Sequence, residues 1–103
     1  MKVNFNHTFK DPFGNDLTDN EGKPQMINRS LGFELFNLGD LGTAPMSQEE
    51  KFMAYNLSMR IANSTGDIEI SNEEAEFLCK IACRVYRPGA FGIIKSLIYN
   101  KNV

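Results

Sequence analysis

Val3, Phe5, His7 and Phe9 alternate along the first residues with Lys2, Asn4, Asn6 and Thr8. A period of two puts successive side chains on opposite faces, which predicts a half-buried strand over residues 2–9. Asp11-Pro-Phe-Gly-Asn15 carries Pro and Gly where a tight reversal wants them, and Asp19-Asn-Glu-Gly22 is a second turn signal. Residues 23–28 are then expected to pair back as a short second strand, held near a sheet edge by Pro24. The product is a small N-terminal β-hairpin, which needs helices packed beneath it.

From Ser30 onward the apolar spacing changes to three and four. Leu31, Leu35 and Leu38 predict a short helix over residues 31–38, with Phe36 beside them, Ser30 as its cap and Gly39-Asp-Leu-Gly42 as its stop. Two longer helices open with the same signal, Ser47-Gln-Glu-Glu50 and Ser71-Asn-Glu-Glu74. The serine oxygen accepts from a first-turn N–H, and the glutamate three residues on reaches back to the serine N–H. The first of these, residues 48–63, has one stripe of Phe52, Tyr55, Met59 and Ala62 and another of Met53, Leu57 and Ile61. A helix apolar on two flanks is expected to be sandwiched as the central helix, with Met46 stapled onto Phe52. Asn63-Ser-Thr-Gly-Asp67 ends it, and Ile68-Glu-Ile70 is a short extended piece. The second capped helix, residues 72–86, has Ala75, Leu78, Ile81, Ala82 and Val85 as its core face. Pro88 opens a last helix over 88–99, packed through Ala90, Phe91, Ile93, Ile94, Leu97 and Ile98. The fold class is mostly α with a small N-terminal β-hairpin (α+β), about four helices packed round a central helix. One domain spans 1–103, with β-ribbon and turns over 1–28 and a helical core over 29–100. No internal repeat is read beyond the doubled cap, and residues 100–103 are expected to fray.

Composition adds limits. At 103 residues, 42% hydrophobic and 23% charged, the chain suits one folded domain with a modest core. No apolar run approaches the roughly 20 residues that span a bilayer, and residues 1–7 lack the apolar centre of a secretion signal. A cytoplasmic location is the expectation. Cys79 and Cys83, four apart on one helix, are read as reduced and buried. Net charge is −2, divided into −6 over residues 1–75 and +4 over residues 76–103. Acids collecting at helix starts and bases near helix ends account for much of that division.

Candidate chemistry is sparse. Asn63, Thr65, Asp67 and Glu74 fall where a calcium loop puts its first, third, fifth and twelfth ligands, with Ile70 at the loop's apolar position. Ile68 occupies the place where that loop demands glycine, and Asn63 lacks the carboxylate of the first position. The stretch is therefore read as a connection with its own capping box. Cys79, Cys83 and His7 have no spacing typical of zinc, and a cysteine–histidine nucleophile is set against two cysteines read as inert. Glu73, Glu74 and Glu76 are explained by a helix start, and no phosphate loop is present. No catalytic residue, metal ligand or cofactor is assigned, and the chain is read as not an enzyme. Lys80, Arg84 and Arg87 lie at i, i+4 and i+7 with Lys95 nearby, a stripe able to contact phosphates or a protein partner. A pI of about 5.3 and an inter-helix segment of about seven residues fit a DNA-binding helix-turn-helix poorly. Phe13 sits in a turn that need not bury it.

Three stretches carry a resemblance: Phe9-Lys-Asp-Pro-Phe-Gly-Asn-Asp-Leu17 with Glu21-Gly-Lys-Pro24, then Glu50-Lys-Phe-Met-Ala-Tyr-Asn-Leu-Ser-Met-Arg-Ile61, then Gly66-Asp-Ile-Glu-Ile-Ser-Asn-Glu-Glu74. With the short leucine-rich helix and the closing apolar helix, the chain resembles small accessory proteins of tailed phages and prophages. That resemblance implies a host-cytoplasmic location and no particular functional residue. The expected function is non-enzymatic: stoichiometric binding of a protein partner, of the kind that inhibits a host enzyme or defence complex. The alternatives are a small nucleic-acid-binding regulator using the basic stripe, and a minor virion or assembly component. Lys80, Arg84, Arg87, Lys95 and Phe13 are the candidate contacts.

Overall fold

The alternation at the N-terminus survives in three dimensions. In the computed structural model, which describes residues 1–42 and 44–99, Val3, Phe5 and Phe9 are buried while His7 is exposed. Residues 100–103, expected to fray, lie outside the described residues. Strand β1 (Lys2–Asn4) is shorter than the segment the pattern suggested. Its partner is β2 (Asp67–Glu69), antiparallel, with Val3 opposite Ile68. The Met1 ammonium donates to the Ile70 carbonyl at 2.8 Å, which ties the chain start to the connection between two later helices.

The expected pairing of residues 2–9 with 23–28 appears as a bridge between Thr8 and Met26, within a ring of three. Lys10 bridges Asp16 and Thr18 bridges Pro24. Phe9 N–H donates to the Gln25 carbonyl, Gln25 N–H to Leu17, and Leu17 N–H back to Phe9, all at 2.8–2.9 Å. The ring is built from an eight-residue repeat that the sequence reading missed, residues 9–16 and 17–24. In each copy an aspartate carboxylate, Asp11 or Asp19, accepts from two N–H groups of its own loop. Each loop then closes through a glycine with positive φ, Gly14 at 87° and Gly22 at 81°. The loop amides, the Asn15 N–H foremost, hold the Asp11 carboxyl below its ordinary value. Lys10 does the same for Asp16, with help from the Thr8 hydroxyl.

Among the described residues four helices follow: α1 (Ile27–Phe36), α2 (Gln48–Ala62), α3 (Asn72–Val85) and α4 (Pro88–Ile98). Helix α1 starts four residues earlier than Ser30 suggested and has no side-chain cap. The ring hands the chain directly into it, because Ile27 N–H is already bonded to the His7 carbonyl. Ser30 instead shares a 2.8 Å hydrogen bond with the Tyr86 hydroxyl. Both capping boxes form as read, Ser47 with Glu50 and Ser71 with Glu74. Pro88 occupies the first turn of α4.

Phe5, Ile27, Leu31, Leu35, Leu57, Ile61, Ile70, Leu78, Ile81, Ile94 and Ile98 are fully buried and form the centre of the core. Helices α1 and α2 lie antiparallel and very close. A Cβ built on Gly32 would come within 2.6 Å of the Ala62 Cβ. The Asn28 amide, buried at the same end, donates to the Ser64 carbonyl at 3.0 Å. Helix α1 also meets α3, and α3 carries α4.

Candidate protein-docking surface

Helix α2 departs from the expectation in a way that bears on function. Its Ala54, Leu57, Ser58 and Ile61 side is buried, as one stripe required. The other stripe is not sandwiched: Phe52 is 64% exposed, and Tyr55 and Met59 are nearly half exposed. Met46, expected to staple onto Phe52, is buried in the core, whereas Phe52 stays largely outside it. Beside this stripe α1 presents Phe33, 67% exposed, and Phe36, 60% exposed. The close approach at Gly32 brings the two rows together.

The five side chains make one continuous strip. Phe52 and Tyr55 stack with ring centroids 6.4 Å apart, and Tyr55 tilts toward Phe36 at 6.2 Å. Phe33, Phe36, Met59 and Ala62 line a shallow cleft of about 300 Å³ that ends at Arg29. At the other end Phe52 shares a cleft with Glu49 and Ser47. From Glu49 to Ala62 the strip is about 20 Å long at 1.5 Å per helical residue. Scattered apolar side chains on a surface are ordinary; five large ones in one row are not. Periodicity had marked every α2 member as apolar but could not show that, among the described residues, they stay largely uncovered.

The residues singled out from sequence fare differently. Phe13 is 87% exposed at the tip of the first repeat loop, where its N–H donates to Asp11. Lys80 is exposed and near enough to Glu50 to help Ser47 hold that carboxyl low, the Ser47 N–H contributing most. Arg84 is bonded to Asp40 at 2.6 Å. Arg87 does not share their helix face. Proline disfavours helical backbone in the residue before it, so α3 stops at Val85 and Arg87 is extended, with φ −74° and ψ 164°. Lys95 lies 6.0 Å from the Phe91 ring centroid on α4. The basic residues are thus divided among two helices and the joint between them.

Both cysteines are free, but neither is buried as expected. Cys79 is half-buried and Cys83 exposed, because the core face of α3 is Ala75, Leu78, Ile81 and Ala82, and Cys83 lies beyond its edge. Burial pushes the Cys79 thiol up, with the Tyr99 hydroxyl and Lys95 pulling partly back, which is the reverse of an activated nucleophile. The calcium-like stretch is committed elsewhere. Asn63 caps α2 by donating to the Met59 carbonyl, Asp67 is in β2, and Glu74 serves both its capping box and an ion pair with Arg60. Among the described residues no group of three or more His, Cys, Asp or Glu side chains is placed to hold a metal ion. Nor is any described helix long and apolar enough to cross a membrane. Comparison with protein families, curated proteins and solved structures gives no match.

Proposed function

We propose that this chain is a phage-type accessory protein that works in the host cytoplasm by stoichiometric protein–protein binding, with the strip of Phe33, Phe36, Phe52, Tyr55 and Met59 as its docking surface. The observation that supports this is the unpartnered apolar strip itself. Aromatic and methionine side chains are the residues that interface centres favour, because they bury much area for few rotatable bonds. Their backing is rigid: Leu57, Ile61, Leu31 and Leu35 fill the core directly behind them. Inhibition of a host enzyme or defence complex is the mode proposed, since such action requires a preformed surface and no chemistry from the inhibitor. The basic residues give a nucleic-acid reading less support, with Arg84 shared with Asp40 and Arg87 off the stripe.

The test is affinity purification of the tagged chain from its host, wild type beside Phe33→Ser/Phe36→Ser. Both replaced side chains are exposed, so the variant keeps its fold, which circular dichroism checks. A protein retained by the wild type and lost by the variant is the expected result. Nuclease-sensitive nucleic acid as the retained species, unchanged in the variant, overturns the reading.

A further inference from the structure

The two loops of the N-terminal repeat share one backbone structure and carry different tips. In the first, the Asp11 N–H donates to the Asn15 carbonyl at 2.8 Å and the Gly14 N–H to the Asp11 carbonyl at 3.1 Å. The Asp11 carboxylate accepts from the Phe13 and Asn15 N–H groups, both at 2.9 Å. The second loop repeats all four bonds around Asp19, at 2.8, 3.0, 2.8 and 3.0 Å. Glu21 there holds the place of Phe13, so the loop forms equally well with a carboxylate at its tip. Single exposed apolar side chains are ordinary, but this one has an equivalent position in the same molecule that does without it. At 87% exposure the ring gives the fold almost no burial. Pro12, where the second loop has Asn20, also fixes φ at the first corner of the turn and stiffens the loop that carries the ring. We propose that Phe13 is an anchor that inserts into an apolar pocket of a protein partner, a pocket wide enough for one aromatic ring and bordered by lysine or arginine. This contact is additional to the strip on α1 and α2 and does not depend on it.

A stiff loop and a ring with two rotatable bonds lose little freedom on entering a pocket, which favours tight insertion. The charges around the ring select what borders that pocket. Residues 9–24 hold Asp11, Asp16, Asp19 and Glu21 against Lys10 and Lys23, four acids to two bases, a net of −2. Lys10 pairs with Asp16 and Lys23 with Glu21. Asp11 and Asp19 have no ion-pair partner among the described residues. The charged α1 side chains that share a cleft with the second loop, Arg29 and Glu34, add one charge of each sign. The uncompensated charge nearest the ring in sequence is therefore a carboxylate two residues away. Its Oδ2 holds a 3.4 Å contact with the Asn15 amide and is open to a partner's cation. Such a pair at the rim steers the approach, while the ring supplies the hold. Nucleic-acid phosphates and anionic headgroups meet the same negative loop and are repelled, and one ring without neighbouring free cations is a poor membrane anchor.

Benzoylphenylalanine at position 13 of the full chain, with position 21 as the matched control, tests this in irradiated host cells. The expected result is a discrete protein adduct from position 13 and none from position 21. The crosslinked peptide should lie in an apolar pocket bordered by lysine or arginine. The protein so identified is then titrated with wild type, with Phe13→Glu, and with the exchange variant Phe13→Glu/Glu21→Phe, which keeps composition and net charge. Both variants should bind about thirty-fold or more weakly, the loss that marks an interface hot spot. Their urea midpoints should match wild type, because the second loop already folds with glutamate at its tip. Adducts to lipid or nucleic acid, no adduct from position 13, equal adducts from both positions, or a crosslinked surface bordered by acids would overturn the proposal. So would wild-type affinity in Phe13→Glu, a lowered urea midpoint, or affinity recovered by the exchange variant, which would mean that any exposed ring serves. The strip is judged separately, by Phe33→Ser/Phe36→Ser, and none of these outcomes decides it.

Discussion

Replacing Gly32 by Ala should destabilise the protein, although the same change on an open helix face would stabilise it. Gly32 lies within α1, where alanine gains up to about 1 kcal/mol over glycine in helix propensity. Against that gain stands the approach of α2. The new methyl would sit 2.6 Å from the Ala62 Cβ and 3.1 and 3.2 Å from the Ala62 Cα and N. The latter two are backbone atoms, so no rotamer change relieves them. Overpacking of this kind costs about 1–3 kcal/mol, so the net loss is roughly 1 kcal/mol or somewhat more. At a urea dependence of about 1–3 kcal/mol per molar, the midpoint falls by about 0.5 M. Ala62→Gly, at the last residue of α2, removes the nearest contact and leaves the two backbone ones. The pair should therefore show favourable coupling of about 0.5–1.5 kcal/mol, with recovery only partial. Urea unfolding of the four chains measures the cycle. A Gly32→Ala variant more stable than wild type would refute the close packing on which the two-helix strip depends.

Ser47→Ala and Ser71→Ala should each cost about 0.5–2 kcal/mol, because each serine oxygen accepts the third-position N–H of its helix; unchanged denaturation midpoints would contradict both caps. Tyr86, whose phenol burial pushes up to about 12 from 10, stays neutral in the folded chain where the unfolded chain ionises. Its stabilising share is whole below pH 10 and is lost as the pH rises toward 12. Tyr86→Phe should therefore flatten the alkaline decline in stability, and ultraviolet titration should show one late-ionising tyrosine missing. Millimolar calcium should leave the melting temperature unaltered, since Glu74 already serves Arg60 and its own helix start; a rise that Glu74→Ala removes would show otherwise. Labelled oligonucleotides should bind no more tightly than about 10⁻⁴–10⁻⁶ M at physiological salt, the non-specific range; submicromolar binding lost on replacing Lys80, Arg84 and Arg87 together would restore the nucleic-acid reading.

What was legible in the chain was what is written locally. Ser47 and Ser71 each stand three residues before a glutamate, and both helices begin there. Pro88 marks a helix start by its own ring. Val3, Phe5 and Phe9 go inside as their alternation demands. Features set by distant residues were harder. The start of α1 looked like Ser30 because a serine before a leucine-rich stretch resembles a cap, yet its hydroxyl is engaged by Tyr86, 56 residues away. The repeat over residues 9–24 keeps only an apolar position, an aspartate and a glycine in common, too little to stand out beside two ordinary turns. Phe52, Tyr55 and Met59 were recognised as an apolar stripe but were assigned to the core. Periodicity reports which side chains avoid water, not which of them another part of the chain covers.

Photo-crosslinking tests the docking role of the strip most directly. Benzoylphenylalanine placed at Phe33, in the strip, and at Lys80, outside it, would be irradiated in host cells. Discrete protein adducts from position 33, and few from position 80, are the predicted result. Adducts equally abundant at both positions, or none from position 33, would contradict it.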